Sequence, residues 1–208
     1  MPGPAKMASL LANVSRETIE QLRAFETLIC KWSPTINLVS RADRKSVWER
    51  HILDSVQLYD AAPRSFTHWV DLGSGGGFPA VVVAILANAA NAPRKITMVE
   101  SDSRKATFLR TALREIGVPG IVINERIEDI PSLSADIISA RALASLDGLL
   151  TLAQPHLTPT GTCLFAKGAK WRSEVEEAKL TWKFACSATK SDLDPEAAIL
   201  SIKELSRA

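Results

Sequence analysis

Apolar residues recur at Ile19, Leu22, Phe25, Leu28, Ile29 and Trp32, the spacing of one buried helical face, and Ser15 just before them suits a helix cap. Pro34 is expected to end this helix, because a proline disfavours helical backbone in the residue before it. Ile36 to Ser40 is too short for an element of its own. After the charged stretch from Arg41 to Arg50, a second helix is predicted from about Ser46 to Ala62, with Val47, Ile52, Val56 and Tyr59 turned inward and Pro63 as its stop. From Thr67 the pattern changes to alternation. Strands are predicted near 68–72, 95–99, 120–124, 135–139, 161–166, 181–188 and 198–203, with helices near 79–90, 103–116, 143–156 and 171–179. The first five strands alternate with helices, which implies parallel βαβ units in an α/β fold. Only a short loop, Ser191 to Glu196, separates the last two strands, so these should pair antiparallel. Two regions result: a helical extension over 1–64 and an α/β domain over 65–208, together one compact unit. Residues 15–62 either cap the sheet or take part in binding a substrate. Residues 1–14, rich in Pro, Gly, Ala and Met, are expected to fray.

Composition narrows the class. A chain of 208 residues with 46% hydrophobic and 23% charged residues can bury an ordinary core. It has neither an apolar run near the roughly 20 residues of a membrane span nor the long apolar core of a signal peptide at its start. Three cysteines, Cys30, Cys163 and Cys186, without CxxC spacing indicate neither a disulfide framework nor a metal site, so a reducing cytoplasm is the expected compartment. A net charge of +2 permits a nucleic-acid partner without demanding one.

The densest chemistry lies in Val70-Asp71-Leu72-Gly73-Ser74-Gly75-Gly76-Gly77-Phe78-Pro79, which reads as strand, tight turn and helix start. A dinucleotide fingerprint needs G-x-G-x-x-G. Counted from Gly73 its last position is Phe78, and counted from Gly75 it is Ala80, so neither register fits. An acid two residues before Gly73-x-Gly75-x-Gly77 is similar instead to the first motif of methyltransferases that use S-adenosylmethionine. On that reading Asp71, Gly73, Ser74, Gly75, Gly77 and Phe78 cradle the cofactor. Asp71 holds its ammonium, directly or through water, or else orients the turn. Glu100 ends the second strand at the distance where an acid accepts hydrogen bonds from ribose hydroxyls. Ile127 and Glu128 follow the third strand, where an adenine edge would be read by backbone.

The fourth strand ends Ile137-Ile138-Ser139-Ala140-Arg141-Ala142. It lacks the Asp/Asn-Pro-Pro-aromatic loop that serves exocyclic amines. Carbon methylation of a pyrimidine needs a nucleophilic cysteine, but Cys163 reads as core while Cys30 and Cys186 lie far from the motif loops. Lys167 is a possible base for a hydroxyl, although Gly168 beside it equally suggests a turn. A ring nitrogen with a free lone pair needs no base. The elimination favours such an acceptor, guanine N7 among them, without proving it.

Lys31-Trp32, Asn37-Leu38, His51-Ile52-Leu53-Asp54-Ser55, Asp71 to Pro79, Arg104 to Arg110, Arg126-x-Glu128, Arg141-Ala142-Leu143-Ala144-Ser145 and Lys167-Gly168 carry a more specific likeness. Through them the chain resembles the bacterial 16S rRNA guanine-N7 methyltransferase family long known as glucose-inhibited division protein B. The resemblance implies a Rossmann-like class I methyltransferase with a seven-stranded, mostly parallel sheet, an antiparallel last strand and an N-terminal helical extension. It implies S-adenosylmethionine as cofactor, leaving S-adenosylhomocysteine, with contacts from Gly73, Phe78, Ile127, Glu128 and Arg141 and with Glu100 at the ribose. It further implies 16S rRNA or the small ribosomal subunit as partner, and a monomer without metal or membrane. The chain departs from the family at Ala80, where a further glycine is usual, at Ala140, where Ser or Thr is common, and before Ala197, where an Arg is usual.

His51, Asp54 and Ser55, at i, i+3 and i+4, share one side of the second helix. Such a polar cluster needs partners, either in the cofactor loop or in a helix-to-sheet network. Arg141, His51 and Asp54 are therefore the candidate catalytic residues, Arg141 meeting either the cofactor carboxylate or an RNA phosphate. Arg41, Arg44, Lys45, Arg104, Lys105 and Lys167 are the candidate RNA contacts, with Arg110, Lys170 and Arg172 behind them. A methyltransferase acting on tRNA or a small molecule, and a module that binds cofactor or RNA without turnover, are the alternatives.

Overall fold

The structure, a computed structural model, describes residues 9–90 and 94–208. The expectation of fraying thus falls largely on residues outside the described ones. Helix α1 (Arg16–Ile36) starts at Ser15, whose Oγ accepts the Thr18 N–H. It buries Leu22, Phe25, Leu28 and Ile29, as its spacing predicts. Pro34 does not stop it. The helix continues for a last half-turn and ends at Asn37, in left-handed backbone (φ 48°), whose N–H reaches Ser33 O. A proline this close to a C-terminus removes one ladder bond, and the asparagine cap together with Arg44, whose Nη2 donates to Ser33 O, satisfies the end instead.

The second predicted helix is more broken than its pattern suggests. A 3₁₀ turn spans Asp43–Lys45, a π turn spans Trp48–Ile52, and only Leu53–Asp60 is α-helix, α2. The π turn widens the spiral under His51, so the strict i, i+3, i+4 geometry expected of His51, Asp54 and Ser55 does not hold.

The strands are β1 (His68–Leu72), β2 (Lys95–Val99), β3 (Ile121–Ile123), β4 (Ala135–Arg141), β5 (Leu157–Lys167), β6 (Trp182–Lys190) and β7 (Ala198–Arg207). The helices among them are α3 (Ala80–Ala89), α4 (Ser103–Ile116), α5 (Leu146–Ala153) and α6 (Trp171–Ala178). They form a seven-stranded sheet in the order β3-β2-β1-β4-β5-β7-β6. All pairings among β1 to β5 are parallel, and β7 lies antiparallel between β5 and β6. Because side chains alternate across a strand, Trp69, Ile137, Leu164 and Ile199 join the core with α1 to α4, while Val70, Ile138, Phe165 and Leu200 join the core with α5 and α6. Residues 80–87 of α3 are buried all round, because the sheet lies on one side of that helix and α1 and α2 on the other. Among the described residues no helix is long and apolar enough to cross a membrane. The strand order reverses between β1 and β4, and ligands of open α/β sheets bind at that point, beyond the carboxyl ends of the strands.

Candidate functional site

A cleft of about 410 Å³ opens at the reversal point, lined among others by Gly73, Ser74, Gly75, Phe78, Glu100 and Arg141. Its floor is the turn after β1. Gly73, Gly75 and Gly77 all take positive φ (66°, 52° and 88°), which a side chain resists. They serve different ends. Gly75 is uncrowded, a Cβ there meeting only Gly73 O at 3.8 Å, and its N–H donates to Glu100 Oε2 at 2.7 Å. Gly77 is turned away from the cleft: a Cβ there would lie 2.7 Å from Val81 Cγ2 and 3.0 Å from Phe25 Cζ. Gly76, not among the residues singled out in the sequence, lies under the chain leaving α1, where a Cβ would meet Leu38 O at 2.7 Å. Leu38 thereby becomes part of the cleft wall.

Glu100 is held from both sides, Oε2 by Gly75 N–H and Oε1 by Asp102 N–H at 2.8 Å. Each carboxylate oxygen has a second lone pair, so this clamp orients the side chain without exhausting it. Ile127 and Glu128 line the opposite wall beside Glu125 and Arg126. Asp71 does not line the cleft. It is 1% exposed; Oδ1 accepts the Ser139 hydroxyl at 2.6 Å, and Ser139 Oγ accepts Trp69 Nε1–H at 2.8 Å. Its Oδ2 is buried with no hydrogen-bond partner. Burial pushes the Asp71 carboxyl up to about 6, against the pull of the Ser139 and Ser74 hydroxyls and of Arg141.

Arg141 ends β4 and stands where this cleft meets two further hollows, lining all three. Its guanidinium lies 3.6 Å from Asp54 Oδ2 and donates to Arg50 O at 3.3 Å, with the Phe78 ring 5.2 Å away. Burial pushes the Asp54 carboxyl up, and Arg141 opposes that. The His51 ring packs on Phe78 at 5.0 Å between centroids, and both ring nitrogens are buried without hydrogen-bond partners. Burial, with the Arg141 charge next, lowers its pKa to about 4, so the ring is neutral at pH 7. His51 thus meets the glycine turn and Asp54 meets Arg141, whereas Ser55 turns back on its own helix, its hydroxyl donating to His51 O at 2.6 Å.

The basic residues divide. Arg41, Lys45 and Arg104 are exposed, and Arg104 pairs with Asp102 at 3.2 Å. Lys105 lines the cleft itself. Arg44 and Lys167 are committed internally: Arg44 to Ser33 O, and Lys167 to Glu174 at 2.6 Å and Ala144 O at 3.0 Å. Glu174 Oε2 also accepts Leu146 N–H, so this pair fastens the loop after β4 and the start of α5 to the end of β5 and to α6. That loop carries Leu143, which hangs over Gly73; it belongs to the stretch that carries the family likeness but is not among the site residues expected from the sequence, because a lone leucine in a short loop gives no periodic signal. Cys163 is fully buried, its thiol pushed up to about 12 by burial, and so is no nucleophile.

Comparison with known proteins adds identity to this geometry. The family model described as rRNA small subunit methyltransferase G matches residues 18–193. A protein of Ruegeria sp. strain TM1040 named ribosomal RNA small subunit methyltransferase G is 49% identical, over 96% of this chain and 97% of its own. One of the same name from Paracoccus denitrificans is 44% identical, over 94% of this chain and all (100%) of its own. Among solved structures, a SAM-dependent methyltransferase from Aquifex aeolicus superposes with a TM-score of 0.58 at 13% identity, covering 78% of this chain and 94% of that one. The T. thermophilus 16S rRNA N2 G1207 methyltransferase, solved with AdoMet and guanosine, gives 0.53 at 11% identity, covering 73% and 38%. At such identities the structures bear on fold alone, which is that of class I methyltransferases. The sequence relatives bear on descent: this chain belongs to the rRNA small subunit methyltransferase G family.

Proposed function

We propose that this protein transfers a methyl group from S-adenosylmethionine to N7 of a guanosine in the 16S rRNA of the small ribosomal subunit, acting as a monomer in the cytoplasm. The observation that carries the reading is the cleft at the sheet's reversal point, floored by a positive-φ glycine turn and faced by a clamped carboxylate, in a chain of this family. The residues fit the cofactor. Glu100 offers its remaining lone pairs to the ribose hydroxyls, the backbone at Ile127 and Glu128 meets the adenine, and Gly73 and Gly75 let the chain approach closely. The unpartnered Asp71 Oδ2 sits behind the turn as an acceptor for the ammonium through water, and Arg141 takes the carboxylate.

When bound, S-adenosylmethionine supplies a methyl already activated on a sulfonium sulfur. The protein's part is alignment, which is worth roughly 7–11 kcal/mol in favourable cases. A ring nitrogen such as N7 would attack with its own lone pair, so the chain would have no proton to remove. Neutral His51 and the Arg141–Asp54 pair accordingly act by holding the junction between cofactor and acceptor rather than as general base. The helical extension, residues 1–64, belongs to this machinery through Leu38, His51 and Asp54. Exposed Arg41, Lys45 and Arg104 would meet phosphates.

The test is incubation of the protein with labelled S-adenosylmethionine and, separately, naked 16S rRNA, small subunits and tRNA from cells lacking it. Label released as N7-methylguanine from the rRNA or the subunits is expected. Label in tRNA or metabolites alone, or bound cofactor with no transfer to any of them, would overturn the reading.

A further inference from the structure

Beyond Arg141, on the side away from the glycine turn, lies a second hollow of about 840 Å³. One wall is the segment carrying Asp43, Glu49, His51 and Asp54; the other is the loop joining β6 to β7, with Asp194. Arg141 and Ala142 line both this hollow and the cofactor cleft, so the two are neighbours across one side chain. The walls are tied together far apart in sequence, the Asp192 N–H donating to Gln57 Oε1 at 2.6 Å. Asp194 itself is set by a tight turn: its N–H donates to Ser191 Oγ at 3.3 Å, and its Oδ1 accepts the Glu196 N–H at 3.0 Å.

The chemistry of the walls selects a ligand. Carboxylates outnumber guanidiniums there, and Asp43 and Arg50 already neutralise one another at 2.6 Å. Such a hollow repels phosphate and favours a group rich in N–H donors, the more so if it gains positive charge. Asp54 is engaged by Arg141, whereas Asp194, exposed at the rim, has no cationic partner among the described residues. The His51 ring, packed on Phe78 with Nε2 3.9 Å from Asp43 Oδ2 and with no hydrogen bond to either nitrogen, adds a polar edge beside the hollow. We propose that this hollow receives the acceptor guanine, extruded from its RNA, with its N1–H and N2–H₂ edge donated to the Asp194 carboxylate. A carboxylate is acceptor-only, so guanine's paired donors match it, while adenine would turn a lone pair at N1 against it and be rejected. Methylation at N7 moves the sulfonium charge onto the base, and acidic walls placed beforehand favour that shift. Asp194 would then be the residue that chooses guanine.

This inference rests on the proposed function for its substrate, but it can be tested without turnover. Guanosine, inosine and adenosine 5′-monophosphates are titrated into protein loaded with S-adenosylhomocysteine, and the amide shifts of residues 191–197 are followed by NMR. Guanosine monophosphate should bind at least fivefold tighter than the inosine compound, which lacks the 2-amino group, and adenosine monophosphate should not bind there. Asp194→Asn should remove the guanosine preference while leaving S-adenosylhomocysteine affinity unchanged. If guanosine and inosine monophosphates bind alike, or Asp194→Asn keeps the preference, the inference is overturned; should that variant fail to fold, the wild-type ratio still decides. The preference without any methyl transfer to rRNA would strike the proposed function and leave the hollow standing. N7 methylation with an unaltered Asp194→Asn rate would do the reverse.

Discussion

Asp71 and His51 lie on either side of the glycine turn and pull stability in opposite directions as pH changes. The Asp71 carboxyl is raised from 3.8 to about 6, so between these values the folded state holds a proton that the unfolded state has lost. Its contribution is complete below pH 3.8 and is lost as pH rises through 6. The His51 imidazole is lowered from 6.5 to about 4, so there the unfolded state holds the extra proton. Its contribution is complete above pH 6.5 and is lost as pH falls through 4. Each shift corresponds to about 3 kcal/mol, and across pH 4–6 the slopes largely cancel. Urea unfolding of Asp71→Asn should therefore show stability rising with pH over this window, and of His51→Phe stability falling; parallel profiles for both variants and the wild type would refute the assignment. Arg141→Ala should reduce kcat/KM about 100-fold through lost alignment. Stability should fall by only about 1–3 kcal/mol, since Asp54 can take up a proton once its partner is gone. A large loss of melting temperature with normal specific activity would make Arg141 structural.

The strands show how much of the fold can be read from pattern. Alternation between two buried faces makes β1, β2 and β4 plain, and the capping pair Asp102 and Gly117 bounds α4 at the residues its amphipathic spacing predicts. What alternation and spacing do not encode is the π turn at Trp48–Ile52, because a widened turn arises from how that segment is seated, not from its composition. The same holds for the site. The glycine turn, Glu100 and Arg141 stand out by motif and place, but Gly77 and Lys167 look like site residues and turn out to pack and brace, since a sequence does not say which way a side chain faces. Two substitutions in the turn separate these duties. Gly77→Ala combines a φ of +88° with contacts at 2.7 and 3.0 Å, and should cost about 2–4 kcal/mol in urea unfolding. Gly75→Ala, with nothing nearer than 3.8 Å, should cost about 1–2 kcal/mol. Equal losses would mean that crowding behind the turn does not matter.

Over the whole molecule, the helical extension and the sheet share one core: Phe25 touches Phe78 and Phe108, with ring centroids 5.1 and 6.5 Å apart, and α3 is buried beneath α1 and α2. Removing residues 1–64 should therefore leave a chain without cooperative unfolding, measurable by circular dichroism on heating; a sharp transition would show that the remainder is a domain in its own right. Charge acts at the same scale. Arg41→Ala with Arg104→Ala should weaken rRNA binding and flatten its dependence on salt, a slope that reports the phosphates contacted. Strand β7 follows β6 in the chain yet sits between β5 and β6 in the sheet. On a translating ribosome, then, β6 emerges with no neighbour to join, and the loop bearing Asp194 has no anchor on its far side until β7 has been made. A stop codon anywhere before Ala198 would remove an inner strand and strand β6 with it, so such nonsense alleles should behave as complete losses rather than as shortened enzymes.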